Sequence, residues 1–465
     1  MAQASVSSAT KSAARDIATT IHPYTNLKVH QSEGPIVITE GDGIYVIDEN
    51  GKRYIEGLAG LWCASLGFSE KRLAEAAYRQ MLKLPYYHTF AGKATDTGID
   101  LAEKLLSIAP VPMSKVFFVN SGSEADDTVV KLVWYYNNAL GRPKKKKIIS
   151  RMKAYHGVTV ASASLTGLPN NHRDFDLPIA NILHVDCPHW YRFAQAGESE
   201  EAFSTRLAES LEQRILAEGP ETIAAFIAEP VMGAGGVILP PATYWEKIQA
   251  VLKKYDVLLI ADEVICGFGR TGNMWGSTTY GMHPDMLTCA KALSSAYVPI
   301  AAVMVSEAAY SALVSESEKI GVFAHGFTYS GHPVSSAVAL ETLRIYEERD
   351  IVSHVRAVAP RMQQRLGELG DHPIVGEARG VGLVGALELV KNKSTKASFD
   401  AKDAVAPYLA KRAQHHGLIV RAIGDAIAVC PPLIITEAEI DLLFARLKLA
   451  LDDTLAMVRE RGLIA

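Results

Sequence analysis

The stretch VLLIADEV at residues 257–264 decides the fold of this chain. Its unbroken apolar run is typical of a strand buried on both faces of a parallel sheet. Because successive side chains of a strand alternate, Asp262 and Val264 share one face and Glu263 takes the other. An aspartate directly after such a run is costly to bury without a cationic partner. The stretch therefore predicts a central strand with a partnered carboxylate at its C-terminal end.

Further strand-like runs lie on either side of this one. They are VFFV at 116–119, KIIS at 147–150, AAFIAE at 224–229, MLTCA at 286–290 and AAVMV at 301–305. Between them, segments such as ADDTVVKLVWYYNNAL and PATYWEKIQAVLKKY repeat apolar residues at helical spacing. Alternation of strands and helices from about residue 70 to residue 330 predicts an α/β domain whose mainly parallel sheet is covered on both faces.

The two ends of the chain have a different pattern. Residues 35–57 alternate around GDG and ENG turns, which predicts antiparallel hairpins. After residue 335 come helices, and then GLVGALEL and LIVRAIGDAIAVC as strands. We therefore expect an N-terminal segment (1–69) that contributes to a smaller α+β domain, a large domain (70–334), and a C-terminal part (335–465) that completes the small one.

Composition excludes several classes of function. The 465 residues carry 47 Lys and Arg against 51 Asp and Glu, and this net charge of −4 provides no field for nucleic acid. Five cysteines without a CxxC pair indicate a reducing compartment, and no apolar run reaches the length of a membrane span. The Ala- and Ser-rich opening predicts a frayed terminus rather than a transit peptide. We expect a cytoplasmic protein.

Polar groups follow four of the predicted strands, and the C-terminal ends of parallel strands form the edge where ligands bind. The small residues of the NSGSE turn precede a helix, where an anion can dock, although ordinary capping explains them equally well. A phosphate anchor, a carboxylate for a ring nitrogen and a lysine for a carbonyl together describe a pyridoxal 5'-phosphate (PLP) site. The residues in this pattern that we predict to bind the cofactor are Ser121, Gly122, Ser123, Tyr155, His156, Glu229, Asp262 and Lys291.

Two patterns point elsewhere and are weaker. Gly267, Gly269 and Gly272 spell the GxGxxG of dinucleotide-binding proteins, but a loop composition follows where that motif needs a helix. His184, Cys187 and His189 are metal-ligand types without an evident fourth ligand, and we predict no metal site.

The sequence resembles the class III aminotransferases of PLP fold type I, and within them the pyruvate-dependent ω-transaminases. The motifs that carry this resemblance are GLWC (60–63), PYYHTF (85–90), NSGSEADD (120–127), AYHG (154–157), AEPVMGAGG (228–236), LLIADEVICGFGRTG (258–272), AKALSS (290–295), HGFTYSGHP (325–333) and LIVRAIGDAIAVCPPL (418–433). They span nearly the whole chain, and their order and spacing are specific to the family.

The resemblance implies roles for individual residues. Lys291 is similar to the catalytic lysine that bonds to the cofactor, Asp262 to the partner of the pyridine nitrogen, and Tyr155 and Val264 to the residues on the two ring faces. Gly122 and Ser123 match the phosphate loop, and Thr328 matches a threonine that reaches the phosphate of the neighbouring subunit. Substrate-binding positions match at Tyr24, Leu61, Trp62, Phe90, Tyr155, Ala234, Ile265, Phe327 and, for a carboxylate, Arg421.

One residue departs from the family pattern: Asp126 stands where the family usually has Asn. A further carboxylate near the cofactor is unfavourable unless it points away or finds a partner. The expected activity is transfer of an amino group from a primary amine or ω-amino compound to pyruvate or a similar 2-oxo acid, in a homodimer or higher homo-oligomer. A PLP-dependent aminomutase or decarboxylase, and a nicotinamide-dependent oxidoreductase, are the alternatives.

Overall fold

The computed structural model describes residues 10–464 of the chain. Its strands are β1 (Ile38–Asp42), β2 (Tyr45–Asp48), β3 (Arg53–Glu56), β4 (Lys115–Val119), β5 (Lys147–Arg151), β6 (Ile182–Val185), β7 (Ile223–Ala228), β8 (Leu258–Asp262), β9 (Met286–Cys289), β10 (Ala301–Val305), β11 (Val375–Val381), β12 (Val384–Leu389), β13 (Leu418–Ile419), β14 (Arg421–Ile423) and β15 (Ala426–Val429). Its helices are α1 (Lys11–Thr19), α2 (Leu27–Glu33), α3 (Ala59–Trp62), α4 (Lys71–Lys83), α5 (Asp96–Ser107), α6 (Gly122–Ala139), α7 (Val160–Leu165), α8 (Trp190–Phe193), α9 (Glu200–Glu218), α10 (Tyr244–Lys254), α11 (Gly276–Tyr280), α12 (Glu307–Ile320), α13 (Pro333–Glu348), α14 (Ile351–Glu368), α15 (Val405–His415) and α16 (Glu437–Glu460).

The large sheet has seven strands in the order β4-β10-β9-β8-β7-β5-β6. Its strands from β9 to β6 are parallel neighbours, whereas β10 runs antiparallel to both β4 and β9. The prediction of a mainly parallel sheet is confirmed. Strand β6 was not predicted, because ILHV is short and carries a histidine in place of a continuous apolar run.

Strand β7 shows why this sheet is buried on both faces. All six of its residues are buried. Ala225 and Ile227 pack with Val129 and Val133 of α6, while the side chains of alternate residues join the cluster that contains α9 and α10. A strand with helices on both faces must be apolar throughout, which is the pattern that the sequence shows.

The ends of the chain meet in the smaller part of the molecule. Strands β1 to β3 form the predicted antiparallel hairpins, and β13 joins their sheet by pairing in parallel with β3, with Leu418 opposite Ile55. A second sheet has the order β11-β12-β15-β14. Because β13 comes from the C-terminal part, both termini contribute to one structure, which supports the predicted small domain. The domain boundaries themselves stay a prediction.

The N-terminal segment differs from the expected frayed terminus. Residues 1–9 lie outside the described part of the chain, but Lys11–Thr19 form helix α1, and the Thr10 hydroxyl caps it by accepting from the backbone N–H of Ala13. Ala13 is buried, so tertiary contact holds this helix in place. Among the described residues, none of the helices is long and apolar enough to cross a membrane.

Candidate active site

The predicted cofactor-binding residues, except Ser121 and Thr328, line one cavity at the C-terminal edge of the large sheet. The cavity lies where β4, β5, β7, β8 and β9 end. Its walls are Gly122, Ser123, Asp126, Tyr155, His156, Gly157, Glu229, Asp262, Val264, Ile265 and Lys291. Distant segments of the sequence therefore supply adjacent side chains, as the strand-end pattern predicted.

One end of the cavity is the N-terminus of α6, which begins at Gly122. The Ser121 hydroxyl accepts from the Glu124 backbone N–H at 3.2 Å, so ordinary capping does occupy this side chain. A Cβ added at Gly122 would lie 3.0 Å from Val264 Cγ1, so a larger residue would crowd the cavity wall. The free N–H groups and the dipole of α6, together with Ser123, can hold a phosphate here.

Asp262 lies at the base of the cavity and is buried. Its Oδ2 is 2.7 Å from His156 Nδ1, and its Oδ1 accepts from the Val264 backbone N–H at 3.0 Å. His156 is thus the partner that burial of this carboxylate demands. From sequence we assigned His156 to the cofactor directly, but its ring binds Asp262, and no spacing pattern indicates that pairing.

Lys291 faces the same cavity from the end of β9. It opens a short 3-10 turn, Lys291–Ser294, and its φ of 51° lies in the left-handed region that non-glycine residues rarely adopt. Burial lowers the pKa of its amine, and the negative charge of Asp262 opposes this shift. A lowered pKa increases the fraction of free amine at neutral pH, which is the form that attacks a carbonyl.

Glu229 connects the loops that carry Tyr155 and Ala234. Its Oε1 accepts from the Tyr155 backbone N–H at 3.1 Å and its Oε2 from the Gly233 N–H at 2.9 Å. Burial raises the pKa of Glu229, and the side chain is not solvated, contrary to the usual expectation for a lone acidic residue after a strand. Its place in the wall is therefore partly structural, because it fixes the loop from which Tyr155 projects.

Four predicted substrate-binding residues are not among those that line this cavity, namely Tyr24, Leu61, Trp62 and Ala234. Tyr24 contacts Tyr155 edge-on at 6.5 Å between ring centroids, and Tyr24 is itself exposed. Trp62 is buried in an apolar cluster with Ile265. Ala234 is buried as well, whereas 54% of Leu61 is exposed.

Arg421 lies on β14, beside the turn that leads to β15. Gly424 adopts a φ of 56° in that turn, between β14 and β15. The arginine is half-buried, and its positive charge lowers the pKa of Tyr155, although burial raises that pKa overall. Within residues 10–464 its guanidinium has neither a hydrogen bond nor an ion pair. A charged fork without a partner next to the cavity can accept a carboxylate.

Three further predicted residues, Phe90, Phe327 and Thr328, also lie outside this cavity within the same chain. The Phe90 ring packs against Gly326, the Phe327 ring lies edge-on to His325 at 5.4 Å, and Thr328 is exposed. None of the three lines the cavity that contains Lys291. Their sequence signal is the family resemblance alone, which for Thr328 already implied a neighbouring subunit.

The GxGxxG pattern has a structural role. Its glycines lie in turns between β8 and α11, and Arg270 within them donates to the backbone carbonyls of Leu383 and Pro431. Helix α11 begins only at Gly276. The pattern therefore connects the large sheet to the C-terminal part and does not open the helix that a dinucleotide site requires.

The lining of the cavity fits PLP. The N-terminus of α6 can hold the phosphate, Tyr155 can contact the pyridine ring, and Asp262 can pair with the ring nitrogen. Lys291, which has no hydrogen-bond partner in the described chain, can bond to the carbonyl carbon. These features define a PLP enzyme of fold type I. The chain belongs to the class III aminotransferases, since the model of that family, "Aminotransferase class-III", matches residues 27–451. It is thus a PLP-dependent aminotransferase, and an oxidoreductase is excluded.

Known relatives support this assignment. The chain is 56% identical over 427 residues to gamma aminobutyrate transaminase 3, chloroplastic, from Solanum lycopersicum, covering 92% of this chain and 82% of the relative. An omega transaminase from Pseudomonas jessenii, solved in complex with PMP, has a TM-score of 0.95 and 58% identity, covering 96% of this chain and 98% of that one. A transaminase solved with L-alanine has a TM-score of 0.90 and 61% identity, covering 91% of this chain and all of that one.

Proposed function

We propose that this aminotransferase moves an amino group from a primary amine or ω-amino compound to pyruvate or a similar 2-oxo acid, in two half-reactions at one site. The observation that carries the proposal is Arg421, a charged side chain close to Tyr155 that has neither a hydrogen bond nor an ion pair within residues 10–464. The solved relative with L-alanine supports it, because alanine is the amino acid that corresponds to pyruvate.

The geometry of the cavity and the family resemblance together support a role for each residue. When bound, PLP supplies a carbonyl that accepts the amino group and a ring that accepts electrons. Lys291 Nζ holds the cofactor between turnovers and removes the proton from the substrate carbon that bears nitrogen. Asp262 keeps the ring nitrogen protonated, and His156 and the Val264 N–H orient Asp262. Tyr155 and Val264, which line the same cavity, would hold the ring on its two faces, as the family resemblance implies.

Arg421 explains how one pocket accepts both a neutral amine and a charged keto acid. A guanidinium binds a carboxylate through two parallel hydrogen bonds, and its long side chain can turn aside for an apolar group. The lack of a fixed partner in the described chain leaves it free to do both.

Arg421→Ala should slow the pyruvate half-reaction far more than the half-reaction of an amine without a carboxylate. Loss of a charged pair should cost about 2 kcal/mol or more in kcat/KM for pyruvate. Arg421→Lys should rescue only part of this loss, since an ammonium has no planar fork. Stopped-flow measurement of each half-reaction separately tests the prediction.

The control is Arg214→Ala, which removes an arginine from a surface ion pair with Glu218 on α9 and should change neither half-reaction. Equal losses for both substrates in Arg421→Ala would mean that Arg421 has a structural role, and carboxylate recognition would need another residue.

We further infer that the enzyme acts as a homodimer or higher homo-oligomer. Phe90, Thr328 and Tyr329 lie on an exposed, aromatic-rich surface outside their own cavity. Exposed aromatic surface is typical of a protein interface. If this surface packs against a second copy, Thr328 can reach the partner's site, as the family resemblance implies, and the nearby Phe90 and Phe327 can contribute to the same site.

Thr328→Ala should therefore weaken retention of PLP by roughly tenfold or more, the loss expected for one hydrogen bond to a charged phosphate. By linkage, it should also lower the concentration-dependent stability of the assembly. Cofactor loss on dilution and sedimentation velocity measure the two effects. The matched control is the exposed Thr395→Ala. A fully active monomer at the assay concentration would refute the proposal.

The amine donor is the open part of this function. Several relatives are named gamma aminobutyrate transaminases. The first donor to test is therefore γ-aminobutyrate, which is an ω-amino acid. A panel of aromatic amines, diamines and ω-amino acids assayed with pyruvate and with other 2-oxo acids identifies both substrates. The same panel assayed without a keto acid would reveal an aminomutase or decarboxylase, because such an enzyme would still turn over its substrate. The cytoplasmic location stays a prediction.

A further inference from the structure

Asp126, the residue that departs from the family pattern, lies close to Asp262, the carboxylate proposed to contact the cofactor ring. It projects from the first turns of α6 into the cavity wall and is buried. One oxygen of Asp126, one of Asp262 and a ring nitrogen of His156 lie within 4.8 Å of one another. Asp126 therefore points neither to solvent nor away from the cofactor.

The hydrogen bonds of the two carboxyl groups are unequal. Asp262 has His156 Nδ1 at one oxygen and the Val264 N–H at the other. Both oxygens of Asp126 are buried and have no hydrogen-bond partner among residues 10–464. Two adjacent buried carboxylates cannot both keep a negative charge, so one of them must hold a proton. Because only Asp262 has donors that stabilise an anion, the proton belongs on Asp126.

The other groups around Asp126 agree with this assignment. Asp127 on its own helix and Asp262 on β8 both disfavour a charge on Asp126, and burial is the largest effect that raises its pKa. The Thr288 hydroxyl on β9 acts in the opposite direction and is outweighed. Glu229 and Lys291 line the same cavity, but within residues 10–464 no lysine or arginine pairs with Asp126.

We propose that Asp126 is a neutral carboxylic acid in the folded enzyme at neutral pH, and that it acts as a positioning residue which leaves a single negative charge, on Asp262, beneath the ring nitrogen. A neutral Asp126 carries an O–H donor close to the Asp262 carboxylate, as an asparagine would carry an N–H donor. The inference rests on the proposed role of Asp262 in the site, but its central test concerns the protonation of Asp126 alone.

The test is Asp126→Asn, which keeps the shape and fixes the group as neutral. In the folded parent Asp126 keeps a proton, whereas in the unfolded chain it loses that proton above the ordinary pKa of aspartate. Between the unfolded and the folded pKa, the parent's free energy of unfolding therefore falls as pH rises, and that of the variant does not. The melting temperature of the cofactor-free variant should therefore exceed that of the parent by a margin that grows by roughly 1 °C per pH unit from about pH 5 to about pH 8.

The matched control is Asp127→Asn on the same helix. Unlike Asp126, this carboxyl group has a hydrogen-bond donor, because Asp127 Oδ1 accepts from the Ser162 backbone N–H at 2.7 Å. The difference in melting temperature between Asp127→Asn and the parent should not grow over this pH range. An Asp126→Asn margin that is flat with pH would overturn the proposal.

Two spectra complete the test. The infrared difference between parent and Asp126→Asn should contain a protonated carboxyl band that the Asp127→Asn difference lacks. In the loaded enzyme, the pH midpoint of the visible absorption should move by less than about 0.3 unit, because no charge has been removed. Absence of the band, or a midpoint lowered by about one unit or more, would show that Asp126 is charged. None of these measurements needs turnover, so they can refute the proposal for Asp126 even if the proposed activity is correct, and the reverse also holds.

Discussion

Lys291→Ala should abolish transamination, with a loss of at least about 1,000-fold in both half-reactions, because one amine both anchors the cofactor and moves the substrate proton. The substitution retains a Cβ at a residue with a φ of 51°, so it adds no backbone strain of its own. PLP can still bind through the α6 N-terminus, Ser123 and Asp262. Borohydride reduction followed by intact-mass analysis and peptide mapping should place the cofactor on Lys291 in the parent and on no lysine in the variant.

The control for this experiment is Lys254→Ala, which removes a surface lysine paired with Glu212. It should retain the reduced cofactor and full activity. Mapping of the cofactor to a lysine other than Lys291 would overturn the assignment of the catalytic residue, even if Lys291→Ala were inactive.

The sequence predicted the large sheet well because its strands are buried on both faces. Such strands must be apolar throughout, as in β7 and β8, and a polar residue can appear only where the strand ends. Asp262 and Lys291 are visible in the sequence for that reason. Strand β6 interrupts its apolar run with His184, and it was not predicted.

Contacts between distant segments were not predictable from the residues alone. His156 and Asp262 are 106 residues apart, and Glu229 binds the backbone of Tyr155 and Gly233 rather than solvent. Local sequence carries no signal for such pairs, because each depends on which strand ends become neighbours in the sheet. Helix α1 was missed for a similar reason, since tertiary packing of Ala13 determines its order.

Asp262→Asn should slow single-turnover deamination by roughly 100- to 1,000-fold while the protein remains folded, because it removes a preorganised charge at the group that accepts electrons. Asparagine has nearly the same shape, and its amide oxygen can still accept from the Val264 N–H. The lost quantity is the negative charge that keeps the ring nitrogen protonated. Stopped-flow absorbance with one amine and no keto acid isolates this step, and unchanged rates would show that Asp262 does something else.

Asp126 changes what the single substitution can reveal. Removing the charge of Asp262 also removes a repulsion that raises the pKa of Asp126, so Asp126 can then ionise more readily and replace part of the lost anion. The double variant Asp126→Asn/Asp262→Asn should therefore be slower than the Asp262→Asn variant, although Asp126→Asn alone should stay close to the parent. The effects of substituting two neighbouring groups that share one charge are expected to be non-additive in this way. Additive effects in the double-mutant cycle would mean that Asp126 cannot substitute for Asp262, and that the charge beneath the ring depends on Asp262 and its bonds to His156 and the Val264 N–H alone.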